Sequence, residues 1–90
     1  MKFIHITDPH LMPAGTPLYG MDTRAILDAC LDDIARFHGD ADFCVITGDL
    51  TENGDSESYH WLKERLARFP LETRLLLGNC DNRDNFLSVL

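Results

Sequence analysis

Three short apolar runs, each closed by a polar or glycine-bearing loop, constrain this chain more than any other feature. They are Phe3-Ile4-His5-Ile6-Thr7, Phe43-Cys44-Val45-Ile46-Thr47 and Thr73-Arg74-Leu75-Leu76-Leu77. Runs of this length, rich in β-branched, aromatic and aliphatic residues, read as strands. They are nearly continuous rather than alternating, so both faces of each are expected to be covered, as in a parallel sheet. Between the first two lies a helical stretch from about Asp22 to His38, with Asp22 or Thr23 as N-cap and Ile26, Cys30, Ile34 and Phe37 as its apolar stripe. Gly39 is its expected stop. A second helix opens at Asp55 or Ser56, carries Tyr59, Leu62, Leu66 and Phe69 on one face, and ends at Pro70. The order β-α-β-α-β predicts an α/β fold, a three-stranded parallel sheet joined by right-handed crossovers. Residues 81–90 read as the start of a third helix, and no repeat or linker interrupts the chain.

Charge and cysteine usage narrow the function classes. Fifteen Asp and Glu against eight Lys and Arg leave a formal charge of −7, which gives no basic field for a nucleic acid or an anionic membrane. No apolar run approaches the roughly 20 residues of a membrane span, and Met1-Lys2-Phe3-Ile4-His5 lacks the long apolar stretch of a signal peptide; the expected location is the cytoplasm. Cys30, Cys44 and Cys80 are odd in number and lack zinc-type spacing, so free thiols are expected and not a disulfide framework.

Ligands of an open parallel sheet bind beyond the carboxyl ends of its strands. The residues there are Thr7-Asp8-Pro9-His10, Thr47-Gly48-Asp49 and Gly78-Asn79-Cys80-Asp81. Asp8 and His10 stand two apart, so an extended loop aims both at one point, while Gly48 and Gly78 allow close backbone approach. Oxygen and imidazole donors together suit Mn, Fe or Zn. Taken singly, each Asp or Asn here reads as an ordinary turn residue. Jointly they read as a metal site, with Asp49 the natural bridge if two ions bind. His5 reads as a core or near-core residue with a hydrogen-bond partner, Tyr59 and Trp61 as packing and surface-anchoring residues. Glu57, Lys63, Glu64, Arg65 and Arg68 read as a solvated helix face.

Asp8-x-His10, Gly48-Asp49 and Gly78-Asn79-x-Asp81, in that order and each at a strand end, resemble the first three motifs of the calcineurin-like metallophosphoesterases. Leu18-Tyr19-Gly20 and Asp81-Asn82-Arg83 with Phe86-Leu87 resemble the branch holding class III cyclic nucleotide phosphodiesterases and bacterial glycerophosphodiesterases. The resemblance covers residues 1–90 and implies the N-terminal half of an α/β/β/α sandwich. It implies two divalent ions (Fe, Mn, Zn or Co) and hydrolysis of a small phosphodiester by a metal-bound hydroxide. By the same resemblance Asp8 and His10 hold the first ion, Asp49 bridges, and Asn79 holds the second. His10 and Asn79 also meet the phosphate. Cys80 stands where the family carries a histidine that assists the leaving group, and is carried over as a substrate-contacting and catalytic position. The family's further metal-binding histidines lie downstream of the positions present, and neither His38 nor His60 is placed to replace them, so the second ion site is incomplete.

Three readings follow. The first is a dimetal phosphodiesterase, inactive as this isolated chain. The second is a truncated, non-catalytic metal-binding or interaction module of the same fold, self-associating through an uncovered sheet. The third, a receiver-like domain, wants paired acids after the first strand and a lysine at a later strand end. Asp8 is followed by Pro9 and no such lysine is present.

Overall fold

The structure, a computed structural model, describes residues 1–90. Its elements are β1 (Phe3–Thr7), α1 (Thr23–Phe37), β2 (Phe43–Thr47), α2 (Ser56–Ala67), β3 (Thr73–Leu75) and α3 (Arg83–Val89). The strands form one parallel sheet in the order β1-β2-β3, with Phe3 opposite Phe43, Thr7 opposite Thr47 and Ile46 opposite Leu75. Each helix starts on a side-chain cap that accepts an otherwise unpaired amide: Asp22 from Ala25, Asp55 from Ser58 and Asn82 from Asn85.

The three helices and the sheet share one core. Leu27, Leu31 and Ile34 of α1, Tyr59 and Leu62 of α2 and Val89 of α3 close over Cys44 and Ile46 of β2, with Ile4, Ile6 and Leu75 packed against them. Those strand residues stand opposite one another in register and so share one face. The other face is open, contrary to the expectation that both are covered. Phe3 is 52% exposed and Leu76 60%. On that open face the rings of Phe3 and Phe43 stack at 5.3 Å, and the Arg74 guanidinium lies 4.6 Å from the Phe43 ring centre.

Several local expectations are corrected. Ile26 and Phe37 are exposed, and α1 buries the neighbouring stripe Leu27-Leu31-Ile34, because that face looks onto the sheet. His5 has its partner, with Nε2 2.8 Å from Thr47 Oγ1, but lies exposed on the open face rather than near the core. Arg65 is not solvated: it is 5% exposed and pairs with Asp28 and with Asp32 at 2.8 Å, tying α2 to α1. Helix α1 ends when the His38 amide bonds back to Ile34 at 2.7 Å, and Gly39 is not left-handed there. A side chain at 39 would sit 2.9 Å from the Ala35 carbonyl oxygen, which is why glycine fits. Strand β3 stops at Leu75 rather than Leu77, since the chain then turns to deliver Gly78 to the neighbouring loop, where its amide bonds Asp81.

Candidate metal centre

Parallel pairing continues past the ends of β1 and β2 and thereby builds the site. The amide of Asp8 donates to Thr47 at 2.8 Å, that of His10 to Asp49 at 3.0 Å and that of Leu11 to Leu50 at 2.9 Å. Following two strands out of the sheet in this way forces unusual backbone: Asp8 and His10 both adopt positive φ, 51° and 48°. Non-glycine residues seldom do so, and such strain gathers at functional sites. The result is one cluster in which ligand atoms of Asp8, His10 and Asp49 lie within 4.8 Å of one another.

Two glycines make this closeness possible. A Cβ on Gly48, itself at φ 86°, would overlap the Asp8 carboxylate, and a Cβ on Gly78 would overlap the Asp49 carboxylate. Asp8 Oδ1 accepts the Asp49 amide at 3.0 Å and Asp49 Oδ1 accepts the Cys80 amide at 2.8 Å. Each carboxylate is thus oriented by one backbone donor, and Asp8 Oδ2 makes no hydrogen bond to the protein. A divalent cation fits such a set: two anionic oxygens and an imidazole, half-exposed, on a floor cleared of side chains.

Asn79 and Cys80 sit in the turn between Gly78 and Asp81, closed by the Asp81 amide bonding Gly78 at 3.2 Å. The turn abuts Asp49 through Gly78 and the Cys80 amide, and Asn79 itself is exposed. A hydrogen bond to Asp49, with burial and the charges of Asp49, Glu52 and Asp81, raises the Cys80 pKa, so the thiol stays protonated in this setting.

Sequence reasoning missed Glu52, and it singled out Asp81 in the third motif without giving it a role. Glu52 stands 2.7 Å from His10 Nδ1. Asp81 accepts five donors: the amides of Leu50, Thr51 and Gly78 and the hydroxyls of Thr51 and Tyr59, all at 2.8–2.9 Å. Burial pushes its carboxyl up, but these donors outweigh it and hold the pKa below the ordinary value. Tyr59, read as a packing residue, also accepts the Asn82 amide at 3.0 Å. Apart from the Gly78 amide, three residues before Asp81, these partners lie tens of residues away, and the local strings around Glu52 and Asp81 carry no signal of them.

Beside Asp8 and His10, a cavity of about 520 Å³ opens between β1 and α1, lined by Ile6, Leu18, Met21, Ile26, Leu27 and Cys30. The buried Thr23 hydroxyl, which has no partner, also lines it. No helix is long and apolar enough to cross a membrane.

With this geometry in view, the comparisons with known proteins agree. Residues 1–89 match the calcineurin-like phosphoesterase family. The chain is 38% identical to a probable cyclic nucleotide phosphodiesterase of Rhodopseudomonas palustris over 96% of its own length and 31% of that protein. It is 30% identical to the 3',5'-cyclic adenosine monophosphate phosphodiesterase CpdA of Pseudomonas aeruginosa, covering 90% of this chain and 30% of that one. It is 29% identical to a probable glycerophosphodiester phosphodiesterase GpdQ of Arcobacter nitrofigilis, covering 94% and 32%. The chain thus spans about a third of the length of these relatives. Its parallel α/β sheet, with acids and an imidazole gathered at the carboxyl edge, belongs to the calcineurin-like phosphoesterase family.

Proposed function

We propose that these residues form the metal-binding part of a phosphodiesterase site acting on a small phosphodiester, such as a cyclic nucleotide or a glycerophosphodiester. The observation that carries this reading is the convergence of Asp8, His10 and Asp49 within 4.8 Å at the sheet's carboxyl edge. Mn, Fe, Zn and Co all suit that donor set. A bound divalent ion supplies Lewis-acid polarisation of a phosphoryl oxygen.

The chain's own groups supply position. Asp8 and His10 would hold one ion from the β1 side, and Asp49, oriented by the Cys80 amide next to the turn carrying Asn79, would be shared with a second. In a complete two-ion site the Asn79 amide would hold the second ion and, with His10, orient the phosphate. Cys80 presents a protonated thiol, a weak donor, at the position from which the family's histidine assists the leaving group. The apolar cavity beside Asp8 receives the organic part of the ester. Asp8, His10 and Asp49 supply about half an octahedral shell and Asn79 alone adds one further donor to a second, so the ninety residues alone bind about one ion and turn over diester negligibly. Three unpaired cysteines favour a cytoplasmic setting.

A second reading, a non-catalytic metal-binding or interaction module, is favoured by Cys80 and by the exposed Phe3 and Leu76 on the open sheet face, a surface suited to self-association. Metal content of the purified chain and of Asp49→Ala, with hydrolysis of bis(p-nitrophenyl) phosphate, separates the two. About one Mn²⁺ per chain, lost in the variant, is expected. Metal-dependent turnover abolished by Asp49→Ala would make the chain an enzyme in its own right, and a wild-type chain that binds no metal would sink both readings of the site.

A further inference from the structure

We infer that Glu52 is the positioning residue of the metal centre: it holds the Nδ1 side of the His10 ring and thereby presents Nε2 to the ion. This rests on the metal-binding reading above and names a residue outside the ligand set.

The geometry is specific. His10 Nδ1 and Glu52 Oε2 are 2.7 Å apart, both side chains partly buried, in the range of a charge-assisted hydrogen bond. An ionised carboxylate only accepts, so it fixes the proton on Nδ1 and leaves the Nε2 lone pair as the ring's donor to a metal. Metal-ligating histidines characteristically give their other N–H to such a partner, which fixes tautomer and ring plane and raises ligand basicity. The two residues are 42 positions apart, and backbone pairing brings them together. The His10 amide donates to Asp49, while the Glu52 amide donates to Leu11 at 3.0 Å and Leu11 bridges to Thr51. Glu52 is therefore docked on the residue after His10 by main-chain bonds that persist when its side chain is changed. Neither Asp8 nor Asp49 bonds the His10 ring, so without Glu52 the ring is free to rotate and to exchange its proton between nitrogens.

The test uses the ninety-residue chain with two readouts: Mn²⁺ affinity by competition with a chelating dye, and the His10 ring ¹⁵N shifts in metal-free protein. Wild type is expected to show the Nδ1–H tautomer. Glu52→Ala is expected to lose that preference and to bind Mn²⁺ about 10 to 100-fold more weakly. Glu52→Gln, which keeps size and an acceptor oxygen, is expected to lose several-fold in affinity, and it decides the matter if the alanine variant fails to fold. Affinities equal to wild type, or an affinity loss with His10 nitrogen shifts unmoved, would overturn the positioning role. A wild-type chain that binds no Mn²⁺ would instead remove the metal reading, and the ¹⁵N shifts would still test what Glu52 does to the ring.

Discussion

Asp81 and the pair Asp8–Asp49 lie on the same edge of one sheet and do opposite things. Asp81 is saturated: its two oxygens accept five donors from two loops and a helix. Asp8 and Asp49 each accept only one backbone amide, Asp49 having the Cys80 thiol besides, with side-chain atoms of both in the same 4.8 Å cluster. Carboxylates repel, so holding two so close is a cost that folding alone does not repay. The difference separates a carboxylate that makes the loops from those that the loops exist to present. Satisfaction, more than burial or sequence motif, tells the two apart.

The sharpest way to break this contrast is Asp81→Asn. All five partners are donors, so an amide in either orientation turns its NH₂ toward at least two of them, and the amides of Leu50 and Gly78 have no freedom to turn away. A loss of about 2–5 kcal/mol is expected, read as a lower urea midpoint at unchanged slope. In a domain this small that is a large share of the total. The loss is also pH-dependent. Because the folded pKa of Asp81 lies below its unfolded value near ~3.9, its contribution is full above that unfolded value and disappears as pH falls through the folded one. The gap between wild type and variant therefore narrows below about pH 4. A gap that stayed constant into acid would mean the charge of Asp81 is not what holds the loops.

The same contrast explains what was legible in the sequence. Strands β1 and β2, the caps Asp22 and Asp55, and the clustering of Asp8, His10 and Asp49 at the strand ends are encoded in short contiguous strings, and they stand where those strings put them. The stripe of α1 was not legible. Ile26-Cys30-Ile34 and Leu27-Leu31-Ile34 fit a helical period equally well, and only the sheet decides between them. The open face of β1 was hidden because a continuous apolar run looks the same whether its second face is covered or bare. The roles of Arg65, Glu52 and Asp81 were illegible for a third reason: apart from the Gly78 amide beside Asp81, the partners lie 22 to 42 residues away, so no local string contains those interactions.

A smaller effect is expected at Gly48. Alanine there meets a φ of 86° and overlaps the Asp8 carboxylate, so it costs roughly 1–2 kcal/mol for the left-handed backbone alone. It also displaces Asp8, and Mn²⁺ affinity falls by at least tenfold, roughly the scale of perturbing a ligand's support. Calorimetric titration beside thermal unfolding reads both. Loss of stability with metal affinity intact would mean that Gly48 serves the fold and not the presentation of Asp8.

The smallest effect on stability, and the most informative about purpose, is expected for Asp8→Asn. The amide oxygen still accepts the Asp49 N–H, so the loop keeps its one hydrogen bond, while the repulsion between Asp8 and Asp49 is removed. Unfolding free energy in metal-free buffer is therefore expected to stay within about 0.5 kcal/mol of wild type or to rise, as when a site's strain is relieved. Mn²⁺ affinity, by contrast, is expected to fall more than about 100-fold, beyond what loss of a supporting group costs, because a charged ligand itself is gone. A variant that loses stability like Asp81→Asn would place Asp8 among the loop-building groups. A chain equally stable but unable to hold metal would mean that Asp8 is kept charged, at positive φ and against Asp49, for the ion alone.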